Sequence, residues 1–145
     1  MRRIALVVSL VVASGCGSDA PEFTLGPTDA NVVGTFALTN SNGRLLPILA
    51  RLTAEDEWDM TSDQLILRPD LTWSETSNYN VRTFSSGALS TQQTASSGTY
   101  SISDSKINFV MTVGGTATYT GSVSGNTLTM IYNGGHFIYT RSGGS

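Results

Sequence analysis

The chain of 145 residues is poor in the side chains that build covalent cross-links and metal sites. It contains one cysteine, so no disulfide can form within it. It contains one histidine, His136, and no neighbouring cysteine or second histidine that could complete a zinc site. We therefore interpret His136, at the start of the last predicted strand, as a surface or rim residue, and we predict no metal.

Basic side chains are also scarce. Eight lysines and arginines stand against 11 acidic residues, and Lys106 is the only lysine. No cluster of basic residues occurs, so the electrostatic footprint of nucleic-acid binding is missing. The sequence predicts no nucleic-acid partner.

Catalytic motifs are missing as well. No serine lies in a Gly-x-Ser-x-Gly turn, which a nucleophilic hydrolase would use. The densest acidic cluster, Glu55, Asp56, Glu57, Asp59 and Asp63, lacks the spacing of an EF-hand, so we favour a solvated turn over a Ca²⁺ site. A carboxylate pair for glycoside hydrolysis depends on spatial pairing and stays an open alternative. We predict no enzyme, no catalytic residues and no cofactor.

The N-terminus carries an export signal. Arg2 and Arg3 precede an apolar run, Ile4 to Ala13, which Ser9 alone interrupts. The run is about half the ~20 residues that span a bilayer as a helix. A basic start, a short apolar core and small residues after it are typical of a secretory signal peptide.

The end of this signal, Ala13-Ser14-Gly15-Cys16, resembles the lipobox of bacterial lipoproteins. The resemblance implies that Cys16 is diacylated and becomes the mature N-terminus, which would anchor the protein stably to a membrane. The alternatives are an ordinary secreted protein cut just before Cys16 and a buried free thiol. Gly17, where many inner-membrane lipoproteins have Asp, implies the periplasmic face of the outer membrane if the source is Gram-negative.

Three segments follow from this interpretation: residues 1–15 as signal peptide, 16–31 as the lipidated cysteine with a flexible tether, and 32–145 as one domain. Pro21, Gly26 and Pro27 mark the tether. Loss of the signal leaves six basic against 11 acidic residues, a net charge of −5.

Within the domain, apolar residues recur with a period of two, which is typical of half-buried strands. "KINFVMTV" is an example, with Ile107, Phe109, Met111 and Val113 on one face. Turn residues such as Asn133-Gly134 separate the runs. We predict strands at Val32–Thr39, Ile48–Thr53, Met60–Leu67, Thr72–Thr83, Thr91–Ser103, Ser105–Val113, Thr116–Ser124, Thr127–Tyr132 and His136–Arg141. Sequential strands of this number close most simply as an up-and-down barrel.

Two regions invite more specific predictions. The acidic stretch Glu55 to Glu57 is expected to form a turn, with a short helical segment as the alternative. The strand Thr72–Thr83 is expected to turn inward Trp73, Glu75, Ser77, Tyr79 and Val81, with Glu75 near an opening and Trp73 just inside it.

A series of segments resembles, in order, the small lipocalin-like domains of bacterial lipoproteins: "GTFALTNSNGRLLP", "RPDLTW", "SGTYSISDSKINF", "YTGSVSGNTLTM" and "FIYTR". The resemblance covers Val32 to Arg141 and implies an all-β, small antiparallel up-and-down barrel of about eight strands. It also implies a closed end where Gly34 and Phe36, in place of the usual Gly-x-Trp, meet a late arginine, Arg141, through a cation–π contact.

Two functions are compatible with such a barrel, since eight strands enclose just enough room for side chains or one small ligand. In the first, large side chains fill the barrel, which has a structural or interaction role with another component of the cell envelope. In the second, the barrel binds a small apolar ligand. The residues that would line that site are Trp73, Tyr79, Phe109, Met111, Tyr119, Met130 and Tyr132.

Overall fold

A computed structural model describes residues 32 to 143, in which ten strands form one antiparallel sheet. The strands are β1 Gly34–Ser41, β2 Arg44–Leu45, β3 Ile48–Leu52, β4 Asp56–Leu67, β5 Thr72–Thr83, β6 Leu89–Ser103, β7 Lys106–Val113, β8 Ala117–Ser124, β9 Thr127–Tyr132 and β10 Gly135–Arg141. The predicted signal peptide, Cys16 and the tether lie outside the described residues.

Eight of these strands close into a barrel. Strands β4 to β10 pair consecutively, and β1 closes the ring because it pairs with β10 on one side and β4 on the other. The predicted fold, a small antiparallel up-and-down barrel of about eight strands, is confirmed.

Local sequence explains why the strands connect so closely. The β6–β7 turn at Asp104-Ser105 and the β9–β10 turn at Asn133-Gly134 both have positive φ at their two central residues. Two such residues define the hairpin turn whose twist matches that of the strands it joins, and Asn, Asp and Gly tolerate that conformation best.

The acidic stretch differs from its prediction. Strand β4 begins at Asp56 rather than Met60, so a helical segment at Glu55 to Glu57 is wrong. Glu57 lies opposite Arg82 on β5, and a cross-strand pair of opposite charge favours the extended backbone there. The charge of Glu55 to Glu57 suggested a turn, whereas pairing with β5 holds Asp56 and Glu57 in an extended strand.

Strands β1 and β4 separate at one end of the barrel. Strands β1 and β4 pair only where Gly34–Ala37 faces Gln64–Leu67; further along, β1 pairs with β2 and β4 with β3. The two-residue β2 was not predicted. We call the end near Gly34 the closed end and the opposite end, where β1 and β4 diverge, the open end.

Candidate functional site

The half of the barrel next to the closed end is filled. Its largest side chains are almost inaccessible to solvent: Val32, Phe36, Leu65, Leu67, Trp73, Ile107, Phe109 and Leu128. The indole Nε1 of Trp73 donates to the carbonyl oxygens of Thr99 at 3.0 Å and Val110 at 3.3 Å. The buried donor is therefore satisfied, and this half has the properties of an ordinary core.

The three residues expected to close the barrel lie together. The Arg141 guanidinium carbon is 4.6 Å from the centre of the Phe36 ring, and its Nη1 donates to the carbonyl oxygen of Val33. Gly34 has φ of 155°, and a Cβ there would lie 2.0 Å from that Nη1. A side chain at position 34 would thus displace the arginine from the ring.

The other half of the barrel contains a cavity of about 170 Å³ that reaches the open end. Every barrel strand except β6 contributes to its wall. The lining residues are Leu38, Met60, Asp63, Glu75, Ser77, Tyr79, Met111, Tyr119, Met130, Tyr132, Phe137 and Tyr139.

The residues predicted to line a ligand site divide between the two halves. Tyr79, Met111, Tyr119, Met130 and Tyr132 line the cavity. Trp73 and Phe109 lie in the filled half, each 1% exposed, and do not line it.

The expected position of Trp73 near an opening is wrong. The inward face of β5 is as predicted, with Trp73, Ser77 and Val81 buried. The end of β5 that lies near the opening is the opposite of the one predicted. Trp73 pairs with Gly98 near the closed end, while Tyr79 at the other end of β5 lines the cavity. Alternation determines which face is buried and carries no information about which end of the barrel is open.

Two carboxylates project into the cavity wall from adjacent strands. Asp63 on β4 faces Ser77 on β5, and Glu75 lies two residues along β5 on the same face. The Ser77 hydroxyl donates to Asp63 Oδ2 at 2.6 Å. Glu75 accepts from the Ser96 hydroxyl at 2.9 Å and from the Tyr139 hydroxyl at 3.1 Å.

Asp63 corrects the interpretation of the acidic cluster as a solvated turn. It is 4% exposed and separated from the other four acids by a β-bulge between Met60 and Ser62. The pattern Asp63-x-Leu65-x-Leu67 was the signal available in the sequence, because residues two apart share a face with the buried leucines. The remaining unpredicted lining residues, such as Ser77 and Tyr139, carry no comparable signal.

Burial and, to a smaller extent, the nearby Glu75 carboxylate together raise the pKa of Asp63 to about 7, while hydrogen bonding with the Ser77 and Tyr139 hydroxyls acts in the opposite direction. Burial likewise raises the pKa of Tyr139 well above its ordinary value, and that of Tyr119 too. Both phenols therefore remain protonated at neutral pH and keep their hydroxyl donors.

Two polar atoms in this wall make no hydrogen bond to any described residue. They are Asp63 Oδ1 and the Tyr119 hydroxyl, and both belong to side chains less than 8% exposed. Leaving such an atom buried and unpartnered costs roughly 1–3 kcal/mol. The wall therefore contains an acceptor and a hydroxyl with free hydrogen-bonding capacity.

An aromatic contact extends from the cavity to the rim. Tyr79 meets Trp58 edge to face, with ring centres 5.5 Å apart. Arg51 lies over the Trp58 ring at 4.0 Å and forms an ion pair with Asp56 at 3.0 Å. The charge of this rim arginine is thus balanced outside the cavity.

The described residues outside the cavity contain no comparable candidate for a ligand or metal site. His136 is exposed, and its backbone exchanges hydrogen bonds with Asn42. Between residues 32 and 143, no group of three or more His, Cys, Asp or Glu side chains is placed to hold a metal ion. No helix in that range is long and apolar enough to cross a membrane.

Neither a protein-family model, nor a curated protein, nor a solved structure matches the chain.

Proposed function

We propose that this chain is a lipocalin-like binding protein that holds one small molecule in the open half of its barrel. The observation that carries the proposal is the cavity of about 170 Å³ with buried, unpartnered polar atoms in its wall. A group that enters the cavity can satisfy those atoms, which a filled barrel would leave unpaired.

The size and lining of the cavity define the ligand. An apolar cavity of about 150 Å³ accommodates benzene, whereas pockets for drug-sized ligands measure about 300–1,000 Å³. The ligand is therefore a molecule with one ring or a short chain. The rings of Tyr79, Tyr132 and Phe137 and the side chains of Met111 and Met130 would bury its apolar part.

Calorimetric titration with 2-phenylethanol tests this proposal. The protein is the full chain carrying Cys16→Ser, which cannot be acylated. We expect saturable binding with one site, which Met111→Trp abolishes because the indole occupies the cavity. Val110→Trp is the matched control, since Val110 on the same strand is 43% exposed and points away from the interior. No binding by the parent chain, or equal binding by both tryptophan variants, would contradict the proposal.

We further propose that Cys16 anchors the protein to a membrane, at the periplasmic face of the outer membrane in a Gram-negative cell. The support is the lipobox-like Ala13-Ser14-Gly15-Cys16 after a short apolar run. Cells that make the wild-type chain or Cys16→Ser are fed labelled palmitate. We expect label in the membrane-bound wild type only, and equal label in both would refute acylation at Cys16.

An interaction with another envelope component is a second candidate, supported by the tip of the β3–β6 sheet. Leu52, Phe84 and Leu89 are 60%, 45% and 72% exposed near the open end. A photo-crosslinking residue at Leu89 should give one discrete adduct in intact cells, and none is expected at Lys106. The absence of an adduct from position 89 would count against this role.

A further inference from the structure

The charges around the cavity are unbalanced. Its lining contains two carboxylates, Asp63 and Glu75, and no lysine, arginine or histidine. The one ion pair in the described part of the chain, Arg51 with Asp56, lies at the rim. A ligand of positive charge would supply the missing counter-charge next to the buried carboxyl of Asp63.

The buried polar atoms without hydrogen-bond partners also favour a positively charged ligand. Asp63 Oδ1 is an acceptor without a partner, while the second oxygen of Asp63 and both oxygens of Glu75 already accept hydrogen bonds. Such an atom matches a ligand that donates N–H groups. The unpartnered Tyr119 hydroxyl can accept a hydrogen bond from a second N–H group, or donate its own proton to an acceptor on the ligand.

The aromatic walls complete this match. The rings of Tyr79, Tyr119, Tyr132, Phe137 and Tyr139 line the cavity, and Tyr119 meets Tyr132 edge to face at 5.5 Å. Aromatic faces attract cations and also pack against apolar groups. Carboxylates at the base with aromatic rings around them suit a small molecule that is apolar at one end and cationic at the other.

From this geometry we infer that the ligand is a small protonated amine, whose ammonium group binds Asp63 and Glu75 while its ring or alkyl chain lies among the tyrosines and methionines. This inference rests on the proposed function and names the chemical class of the ligand. With about 170 Å³ to fill, an arylalkylamine of one ring fits, and the cavity's opening leaves room for a longer substituent.

The amine would bind in competition with protons. Asp63 has a raised pKa of about 7, and the groups facing it are Glu75 and Ser77 on β5, Tyr119 on β8 and Tyr139 on β10. Both phenols stay neutral, and the Asp63 carboxyl, which interacts with Glu75, changes its charge near pH 7. Amine affinity should fall about tenfold per pH unit as pH decreases below 7 and change little above it.

Three probes of similar size test the inference in the full chain carrying Cys16→Ser: phenethylamine, 2-phenylethanol and phenylacetate. Charge-assisted hydrogen bonds favour phenethylamine over the alcohol by about 10- to 100-fold. Phenylacetate should not bind detectably. Asp63→Asn and Glu75→Gln should each lower amine affinity about tenfold or more and leave alcohol affinity within about threefold. Asp104→Asn, an exposed turn residue, is the control and should change neither.

The outcomes separate this inference from the proposed function. If the alcohol binds as tightly as the amine, or if the variants weaken both equally, charge is not recognised and the inference is overturned while the cavity remains a ligand site. If none of the probes binds, both fail. A pH-independent amine affinity between pH 5.5 and 8 would also overturn the proton competition.

Discussion

The two halves of the barrel are built from the same strands and differ in how their polar atoms are satisfied. In the closed half, Trp73 Nε1 has two carbonyl acceptors and the Tyr100 hydroxyl donates to the carbonyl oxygen of Arg68 at 2.6 Å. In the open half, Asp63 Oδ1 and the Tyr119 hydroxyl have no described partner. The closed half satisfies these buried polar atoms, whereas the open half leaves two of them unpaired at a cost in stability. This difference supports the proposed ligand site.

Tyr119 lies at the boundary between the two halves. Its ring stacks on Phe109 at 5.1 Å and meets Trp73 at 5.7 Å, both in the closed half. Its hydroxyl belongs to the cavity wall. The aromatic packing of the core thus positions a polar group of the site, because a ring fixed on two sides cannot turn away from the cavity.

The largest expected effect comes from a matched pair of phenylalanine truncations. Phe109→Ala should lower the free energy of unfolding by about 3–5 kcal/mol, since it leaves a hole in a packed core. Phe137→Ala, at the partly exposed cavity wall, should cost about 1–2 kcal/mol because solvent can enter the space. Urea denaturation of both variants measures the difference, and equal losses would mean that the two halves are packed alike.

A second prediction concerns pH. Folded Asp63, with its pKa of about 7, keeps its proton between about pH 4 and 7, where the unfolded chain has lost it. The folded state is therefore favoured at low pH, and stability should fall as pH rises through that window, then level off. The loss attributable to Asp63 is on the order of 2–4 kcal/mol.

Urea denaturation of wild type, Asp63→Asn and Asp104→Asn at pH 4.5 and pH 8 isolates this contribution. Asp63→Asn should lose the least stability on going to pH 8, and Asp104→Asn should follow the wild type. If the free energy of unfolding of the wild type instead rises relative to that of Asp63→Asn between pH 4.5 and pH 8, the pKa of Asp63 is not raised in the folded state.

A third, smaller effect concerns the closed end. Gly34→Ala should cost about 1–3 kcal/mol because the new methyl group displaces Arg141 from Phe36 and because φ of 155° is unfavourable for alanine. Part of that cost should vanish in the Arg141→Ala background. Strictly additive costs in this double-mutant cycle would show that the glycine does not make room for the arginine.

The sequence predicted the barrel because hydrophobic alternation and hairpin turns are local signals. The β5 bounds, Thr72–Thr83, and its buried face were correct for that reason. The start of β4 was missed because Asp56 and Glu57 pair with the far end of β5, which one sequence does not reveal. Strand β2 pairs with the neighbouring β1, but its two residues are too few to show alternation.

The site was less predictable than the fold. Five aromatic and methionine residues were correctly grouped on inward faces, but Trp73 and Phe109 were assigned to the same site, since alternation does not reveal depth within a barrel. Asp63 was grouped with its acidic neighbours in sequence, whereas the bulge after Met60 separates it from them. Bulges depend on the partner strand and leave no reliable mark in one sequence.

The smallest expected effect is that of removing the N-terminal segment. A fragment of residues 32–145 contains every strand of the barrel, so it should give a β-type far-UV circular dichroism spectrum and one cooperative melt close to that of the full chain. A spectrum dominated by helix or random coil would show that the preceding residues are required for folding.

The claim that the open half is a ligand site is tested most directly by amide chemical shifts of the ¹⁵N-labelled full chain carrying Cys16→Ser, titrated with phenethylamine. We expect saturating shifts at cavity residues such as Met60, Tyr79 and Tyr132, and none at Ile107 or Leu128 in the closed half. Shifts centred on the closed half, or no saturating shifts anywhere, would contradict the claim.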